Sequence, residues 1–311
     1  MSILVNGANG QLGLDVVREL TRWGKPVIGL DHTAMDVTDP NSVNAAFERC
    51  HPETVIHCAA WTNVDQAEDT DRRLQVYAAN VLGTQYVAEA CERFGSKMIY
   101  LSSDYVFHGQ GTQPWQPEDE PGEALNVYGQ TKREGEQCVI KTLKRFFVVR
   151  TSWLYGVHGR NFVQTILRLA DQRDCLRVVN DQFGRPTYTR DLARLLADMA
   201  DTERYGIYHA TNEGEMVSWA DFASEILAIA GKNTRVIPVT TEEYGSVKAA
   251  RPHNSRLDTS KLAAGGFLPL PAWKDALKRY LSELNGSWSE PQGSEAHTVK
   301  ETRESVAGKR D

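Results

Sequence analysis

The stretch "ILVNGANGQLG", residues 3 to 13, decides the fold. A short apolar run of strand length passes directly into glycines at 7, 10 and 13, and "QLGLDVVRELTRWG" then takes up a helical period. Glycines between a strand and a helix permit a tight turn and a close backbone approach. The first N–H groups and the positive end of the helix dipole can then face a pyrophosphate. On this reading Gly7, Gly10 and Gly13 bind a dinucleotide; the alternative is a glycine-rich turn that binds nothing.

Working outward, apolar runs alternate with helical patterns: "PVIGLD", "PNSVNAAFERC", "TVIHCAA", "DRRLQVYAANVLGTQYVAEACERFG", "KMIYLSS", and later "RFFVVRTS" and "NFVQTILRLADQ". Such alternation builds βαβ units and predicts an α/β fold with a Rossmann-type, doubly wound parallel sheet, its ligands at the carboxyl ends of the strands. Residues 1–151 are expected to form the dinucleotide-binding domain, with later segments returning to it. Residues 152–285 have shorter, mixed elements and are expected to form most of a smaller C-terminal α/β substrate-binding lobe. Residues 286–311 have few apolar side chains and no periodicity, and are expected to form a disordered tail. The Gly-, Pro- and acid-rich segment 108–125 reads as a long loop that could cover a substrate.

The composition excludes several classes. The chain has 311 residues, 41% of them hydrophobic and 24% charged, with a net charge of −6. It has no excess of basic residues to neutralise a phosphate backbone, so no nucleic-acid partner is expected. Five widely spaced cysteines without a C-x-x-C pair suggest reduced thiols rather than a disulfide frame or a zinc site. The N-terminus lacks a basic region followed by a long apolar core, and no 18-residue apolar run occurs, so a soluble cytoplasmic protein without a membrane partner is expected.

Asp31 lies 18 residues beyond Gly13 at the end of the second strand, where a carboxylate can accept from adenosine ribose hydroxyls and would repel a 2′-phosphate. That favours NADH over NADPH, unless Asp31 merely begins a solvated loop. Asp36 could bond the adenine amino group, whereas Asp39 before Pro40 suits a helix cap.

The segment "ALNVYGQTKREGEQC", residues 124–138, sets Tyr128 and Lys132 four apart on one helix face. A phenol beside an ammonium suits proton donation to a carbonyl oxygen, because the cation stabilises phenolate and lowers the phenol pKa. Most such pairs are surface pairs. Here the glycine loop and "YLSSDYVFHG" change the balance: Ser102, Ser103 and Asp104 end a strand at the rim where substrate should lie.

With glycine loop, serine and Y-x-x-x-K in order, the chain resembles the extended short-chain dehydrogenase/reductase superfamily. Within it the chain resembles the dTDP-4-dehydrorhamnose reductases, through "CAAWTNVDQAE", "LSSDYVFHG", "YGQTKREGE", "RTSWLYGVHGRNF", "DQFGRPTYTRDLA" and "RPHNSRLDTSKL" over about residues 3–284. The resemblance implies a catalytic Ser103, Tyr128 and Lys132, with serine where the family commonly has threonine. It implies Gly10, Gln11 and Leu12 at the cofactor pyrophosphate, and Asp31, Asp36 and Val37 at the adenosine. Ala59, Ala60 and Thr62 would lie along the middle of the dinucleotide. Tyr128 and Lys132 would also touch the cofactor, NADH or NADPH. Ser103, Asp104, Trp153, Arg251 and Asn254 would contact a dTDP-4-dehydro-6-deoxy-L-sugar. Some relatives bind magnesium between subunits, but no site for it is matched here, so no metal is assigned; monomer and homodimer stay open. For Trp153 core packing, and for Arg251 a loop surface, are the alternative readings.

Three other activities compete. A dehydratase needs a second acid beside the hydroxyl residue, and Tyr105 follows Asp104 instead. A 4-epimerase needs only the triad and a retained NAD. A binding-only regulator resembling the beta subunit of methionine adenosyltransferase needs no turnover at all.

Overall fold

The structure, a computed structural model, describes residues 2–245 and 247–286. The expected tail lies, except for Gly286, outside the described residues. Five strands, β1 (Ile3–Asn6), β2 (Val27–Leu30), β3 (Thr54–His57), β4 (Lys97–Ser103) and β5 (Phe146–Thr151), join the strand Gly206–His209 in one sheet. Its order is Gly206–His209, β5, β4, β3, β1, β2, and every pairing is parallel. The expected doubly wound α/β sheet is borne out.

Alternate strand residues feed two cores, because successive side chains leave a strand on opposite faces. Ile3, Val5, Ile56, Ile99, Phe147 and Val149 pack with α1 (Gln11–Arg22) and the helix Thr189–Ala200. Leu4, Val55, Met98, Tyr100 and Val148 pack with α2 (Pro40–Cys50) and the helix Gly83–Phe94. All residues of β1, β3 and β4 are buried, which explains the apolar run at the middle of each, with polar residues only at the strand ends. β1 lies between β2 and β3, so the chain turns to opposite sides there and leaves a crevice over the carboxyl ends of β1 and β3.

The helix Thr189–Ala200 and the strand Gly206–His209 return to the first core from within the later half of the chain. Around them a third cluster gathers the helices Phe162–Ala170, Trp219–Ile229 and Trp273–Leu284. It carries a parallel pair, Cys175–Val179 with Arg235–Val239, and a small sheet of Val217–Ser218, Phe183–Gly184 and Asn254–Ser255. This lobe stands beside the carboxyl ends of β4 and β5, through the Ser152 hydroxyl donating to the Arg185 carbonyl.

The loop 108–125 is tied down along its length. Trp115 stacks on Phe107 with ring centroids 4.6 Å apart, and its backbone bonds Arg256 and Asp258. The buried Arg150 donates to the Pro117 carbonyl, and Arg133 to that of Gly122. Proline, glycine and acids signal a loop but say nothing of which distant groups will hold it.

Candidate active site

The glycine loop has the geometry a pyrophosphate requires. Gly7 has φ 66°, and a Cβ there would stand 2.7 Å from the Ala59 nitrogen, so the loop after β1 lies directly on the loop after β3. A Cβ on Gly13 would collide with the Gly7 carbonyl, which is how α1 starts so close to β1. Gly10 is the N-cap without a side chain to bond, the first turn of α1 has no acid, and the N–H groups of Gln11, Leu12 and Gly13 precede the first intrahelical donor, Leu14. The loop thus fits a dinucleotide diphosphate. The Gln11 amide bonds the Leu154 carbonyl and receives a bond from Asn161, so the lobe reaches the cofactor loop.

At the adenosine end, Asp31 Oδ1 accepts from the Thr33 and Ala34 amides and the Thr33 hydroxyl, while Oδ2 accepts from Asn9 at 2.7 Å. These bonds, above all the Thr33 hydroxyl, hold its carboxyl below the usual range. Asp31 is therefore both the organiser of an exposed turn and an anion beside the glycine loop. Asp36 organises a second such turn by accepting from Thr38. Val37 is buried against Gly83, so it shapes the cleft wall. Asp39 caps α2 by accepting from the Asn41 amide, before Pro40 at the first helical position.

A hydrogen-bond chain invisible in the sequence joins the cofactor cleft to the Tyr128 helix, Val127–Thr142. The Ala59 amide donates to Asn6 Oδ1, and Asn6 Nδ2 to His57 Nδ1 at 2.8 Å. His57 Nε2 faces the Thr84 hydroxyl, which donates to the Asn80 carbonyl. Burial and the Lys132 charge push His57 down to about 3, so the ring is neutral with Nδ1 as acceptor and Nε2 as donor. Asn80, in a π-helical turn Ala78–Leu82 that interrupts the long helix, clamps the Trp61 backbone through both amide atoms and donates to Thr131, which donates to the Tyr128 carbonyl. Ala59, Ala60 and Thr62 lie on the loop held between Asn6 and Asn80, with the Thr62 side chain exposed. No local pattern marks Asn6, His57 or Asn80, because their partners are 19 to 53 residues away.

Asn126 caps the helix Val127–Thr142 by accepting from the Gly129 amide, and the Glu68 carboxylate accepts from the Val127 amide. Gly129 faces the Tyr105 backbone and Gly135 the Asn80 carbonyl, which draws this helix onto β4 and its neighbour. The Ser103 hydroxyl bonds Asp104 Oδ1 at 2.9 Å and accepts from the Tyr105 amide at 3.2 Å, and the Tyr105 ring meets the Tyr128 ring edge-on at 5.5 Å. Ser102 points elsewhere, its buried hydroxyl lacking a hydrogen-bond partner among the described residues. Asp104 is 2% exposed, and burial pushes its carboxyl up to about 6, opposed by the nearby Ser255 hydroxyl and the bond from Ser103.

The expected tuning of the phenol is not found. Burial pushes Tyr128 up to about 12, the nearby Ser103 hydroxyl opposes this, and Asp104 adds to it. Lys132 is 3% exposed and burial brings it down to about 7, despite Glu136. Its ammonium sits 4.2 Å over the Tyr100 ring. In a dry cleft lost hydration dominates both groups, with Ser103 and Asp104 acting on the phenol and Glu136 and Cys58 on the ammonium.

A model of the RmlD substrate binding domain family matches residues 1–285. The chain belongs to this family. It is 42% identical to the spore coat polysaccharide biosynthesis protein SpsK of Bacillus subtilis, with 92% of this chain and 98% of that one covered. It is 40% identical to the dTDP-4-dehydrorhamnose reductase of Streptomyces griseus, over 93% and 95%. The crystal structure of dTDP-4-dehydrorhamnose reductase from Bacillus anthracis in complex with NADP is 39% identical and superposes with a TM-score of 0.86 over 91% of this chain and 99% of that one. The resemblance to dTDP-4-dehydrorhamnose reductases drawn from the motifs is borne out.

Against this family's expected substrate residues the structure divides. Trp153 has φ 50°, a left-handed conformation rare for a non-glycine residue, and stacks on Trp219 at 3.6 Å with 12° between planes. Its indole also lies against Gly184, so it forms an aromatic wall of the lobe rather than ordinary core. Trp219 carried no signal, being an aromatic at a helix start. Arg251 is not a free cation: it pairs with Asp65 at 2.9 Å and donates to the Ala249 carbonyl. Asn254 is 1% exposed; its amide donates to the Gln113 carbonyl and accepts from Arg256, so it braces the loop 108–125. Both lie in a segment whose polar groups found partners in loops far away in sequence. Among the described residues no group of three or more His, Cys, Asp or Glu side chains is placed to hold a metal ion.

Proposed function

We propose that this chain reduces the C4 keto group of dTDP-4-dehydro-β-L-rhamnose to give dTDP-L-rhamnose, with NADH or NADPH as reductant, in the supply of a nucleotide sugar for cell-surface polysaccharide. The observation that carries the reading is the junction of Tyr128, Ser103 and Lys132 at the carboxyl end of β4, beside a glycine loop built for a diphosphate. The family membership and the dTDP-4-dehydrorhamnose reductase relatives support it.

A nicotinamide held against β1 and β3 supplies hydride to the ketone carbon. Gln11, Leu12 and the glycines hold its diphosphate, Asp31, Asp36 and Val37 surround its adenosine, and Ala59, Ala60 and Thr62 flank its middle. Tyr128 protonates the developing alkoxide; a phenol with a pKa near 12 is fully protonated before the step, as an acid must be. Ser103 bonds the same oxygen, and Lys132 as a cation stabilises the phenolate left behind. Trp153, stiffened by Trp219, lines the sugar face. The anion at Asp31 supports a preference for NADH, since a 2′-phosphate would meet a carboxylate.

The first prediction tests the reading: purified Tyr128→Phe should keep its fold and lose roughly 100- to 10,000-fold of the NADH or NADPH oxidation that depends on the 4-keto sugar. Parallel assays of the wild type should give higher kcat/KM with NADH. Interconversion of 4-epimers without consumption of reductant would identify an epimerase, and ligand binding without turnover a regulator.

A further inference from the structure

Lys132 is buried where no carboxylate is free to answer its charge. Among the described residues it makes no ion pair, and its ammonium lies over the face of the Tyr100 ring, 4.2 Å from the centroid. The groups around it are uncharged or already engaged. On its own helix, Glu136 is held at both oxygens by Arg150, and burial keeps the Tyr128 phenol protonated. At the end of β3, burial and the Lys132 charge keep His57 neutral, and burial pushes the Cys58 thiol up to about 12. On β4 the phenol of Tyr100 is fully buried, which raises it well above its ordinary value, so this ring too is neutral. What remains to support the cation is the negative face of the ring.

That ring is fixed against the lysine by contacts of its own. Its hydroxyl donates to the Lys132 carbonyl at 3.3 Å, and a Cβ on Gly135 would collide with the same hydroxyl, so glycine is what lets the helix close on the ring. His57 stacks beside it, with centroids 5.7 Å apart and 18° between planes. We propose that Tyr100 is a positioning residue for Lys132: its ring face supports the ammonium and leaves the N–H groups available to the cofactor and to the phenolate of Tyr128. A carboxylate in the same place would bind those N–H groups itself, whereas an aromatic face attracts the charge as a whole. The inference rests on the proposed reduction, in which Lys132 must be a cation as Tyr128 gives up its proton.

The test is an NMR titration of Lys132 in the full chain carrying isotope-labelled lysine, its signal identified by its loss in Lys132→Met. The chains compared are wild type, Tyr100→Phe, Tyr100→Leu, and one with a trifluorinated phenylalanine at position 100, which keeps the shape of the ring and removes the negative charge from its face. Tyr100→Phe should titrate within about half a pH unit of wild type, since the face is kept. Tyr100→Leu and the fluorinated chain should titrate about one pH unit lower, and their kcat/KM for the 4-keto sugar at saturating reductant should be about tenfold below that of Tyr100→Phe at about pH 9. The fluorinated chain carries the test alone if Tyr100→Leu does not fold. An unmoved midpoint in the fluorinated chain, or an equal shift in Tyr100→Phe, overturns the proposal. Failure of the underlying reading shows separately, as turnover surviving in Tyr128→Phe, and the NMR midpoint then still decides what the ring does.

Discussion

At the scale of the residue, Lys132 shows what a sequence pattern leaves open. Its spacing from Tyr128 places both on one face, but the charge it carries depends on the ring of Tyr100 beneath it, on Glu136 one turn on and on the exclusion of water. Glu136 is itself held by Arg150, which bonds both its oxygens at 2.9 and 2.8 Å. Lys132 has a folded pKa of about 7 against an ordinary 10.5, so below about pH 7 the folded state bears the full cost of a buried ammonium. Between about 7 and 10.5 the folded chain binds fewer protons than the unfolded one, and stability rises with pH until that cost is gone. Lys132→Met should therefore raise the melting temperature at pH 6, by a stabilisation on the order of a few kcal/mol, and change it little near pH 10. It should also lower turnover by about 100-fold. Calorimetry at both pH values checks the sign; an equal shift at both would mean packing, not charge.

At the scale of the element, the segment 108–125 is held by groups from β5, the Tyr128 helix and residues 254–258. Trp115 is its keystone: its indole N–H donates to the Asn254 carbonyl, and its own carbonyl faces His209 Nδ1 at 3.1 Å. Burial and the Arg150 charge push His209 down to about 3, so this contact is made by a neutral ring. Trp115→Ala should cost about 3 kcal/mol and open the loop to proteolysis, which limited digestion followed by mass spectrometry of the fragments would locate. Cleavage confined to other loops would show that the stack on Phe107 is dispensable. The loop was legible as a loop, from glycine and proline. Its anchorage was not, because a tryptophan among prolines has no periodicity from which to infer a partner.

At the scale of the whole molecule, the lobe is bound to the nucleotide-binding core by side chains from opposite ends of the later half. Arg279, on the helix Trp273–Leu284, grips both oxygens of the buried Asp191 at 2.9 and 2.7 Å, and Asn212 donates to the same carboxylate. Arg279→Ala would leave Asp191 buried and half-answered, and should lower stability by about 2 kcal/mol, read from the urea midpoint. Asp275→Asn, which removes only an exposed partner of the same arginine, should change it by less than about 0.5 kcal/mol. By itself the sequence determined the alternation of strands and helices, the glycine loop, and the shared face of Tyr128 and Lys132, since each depends on spacing within one element. The tertiary structure alone decided that Asn6, His57 and Asn80 join cleft to helix, that Trp219 backs Trp153, that Arg251 and Asn254 are already engaged, and that burial dominates the proton affinity of both phenol and ammonium. Partners distant along the chain and the exclusion of water exist only once the chain has closed on itself, and they set which polar groups remain free to act.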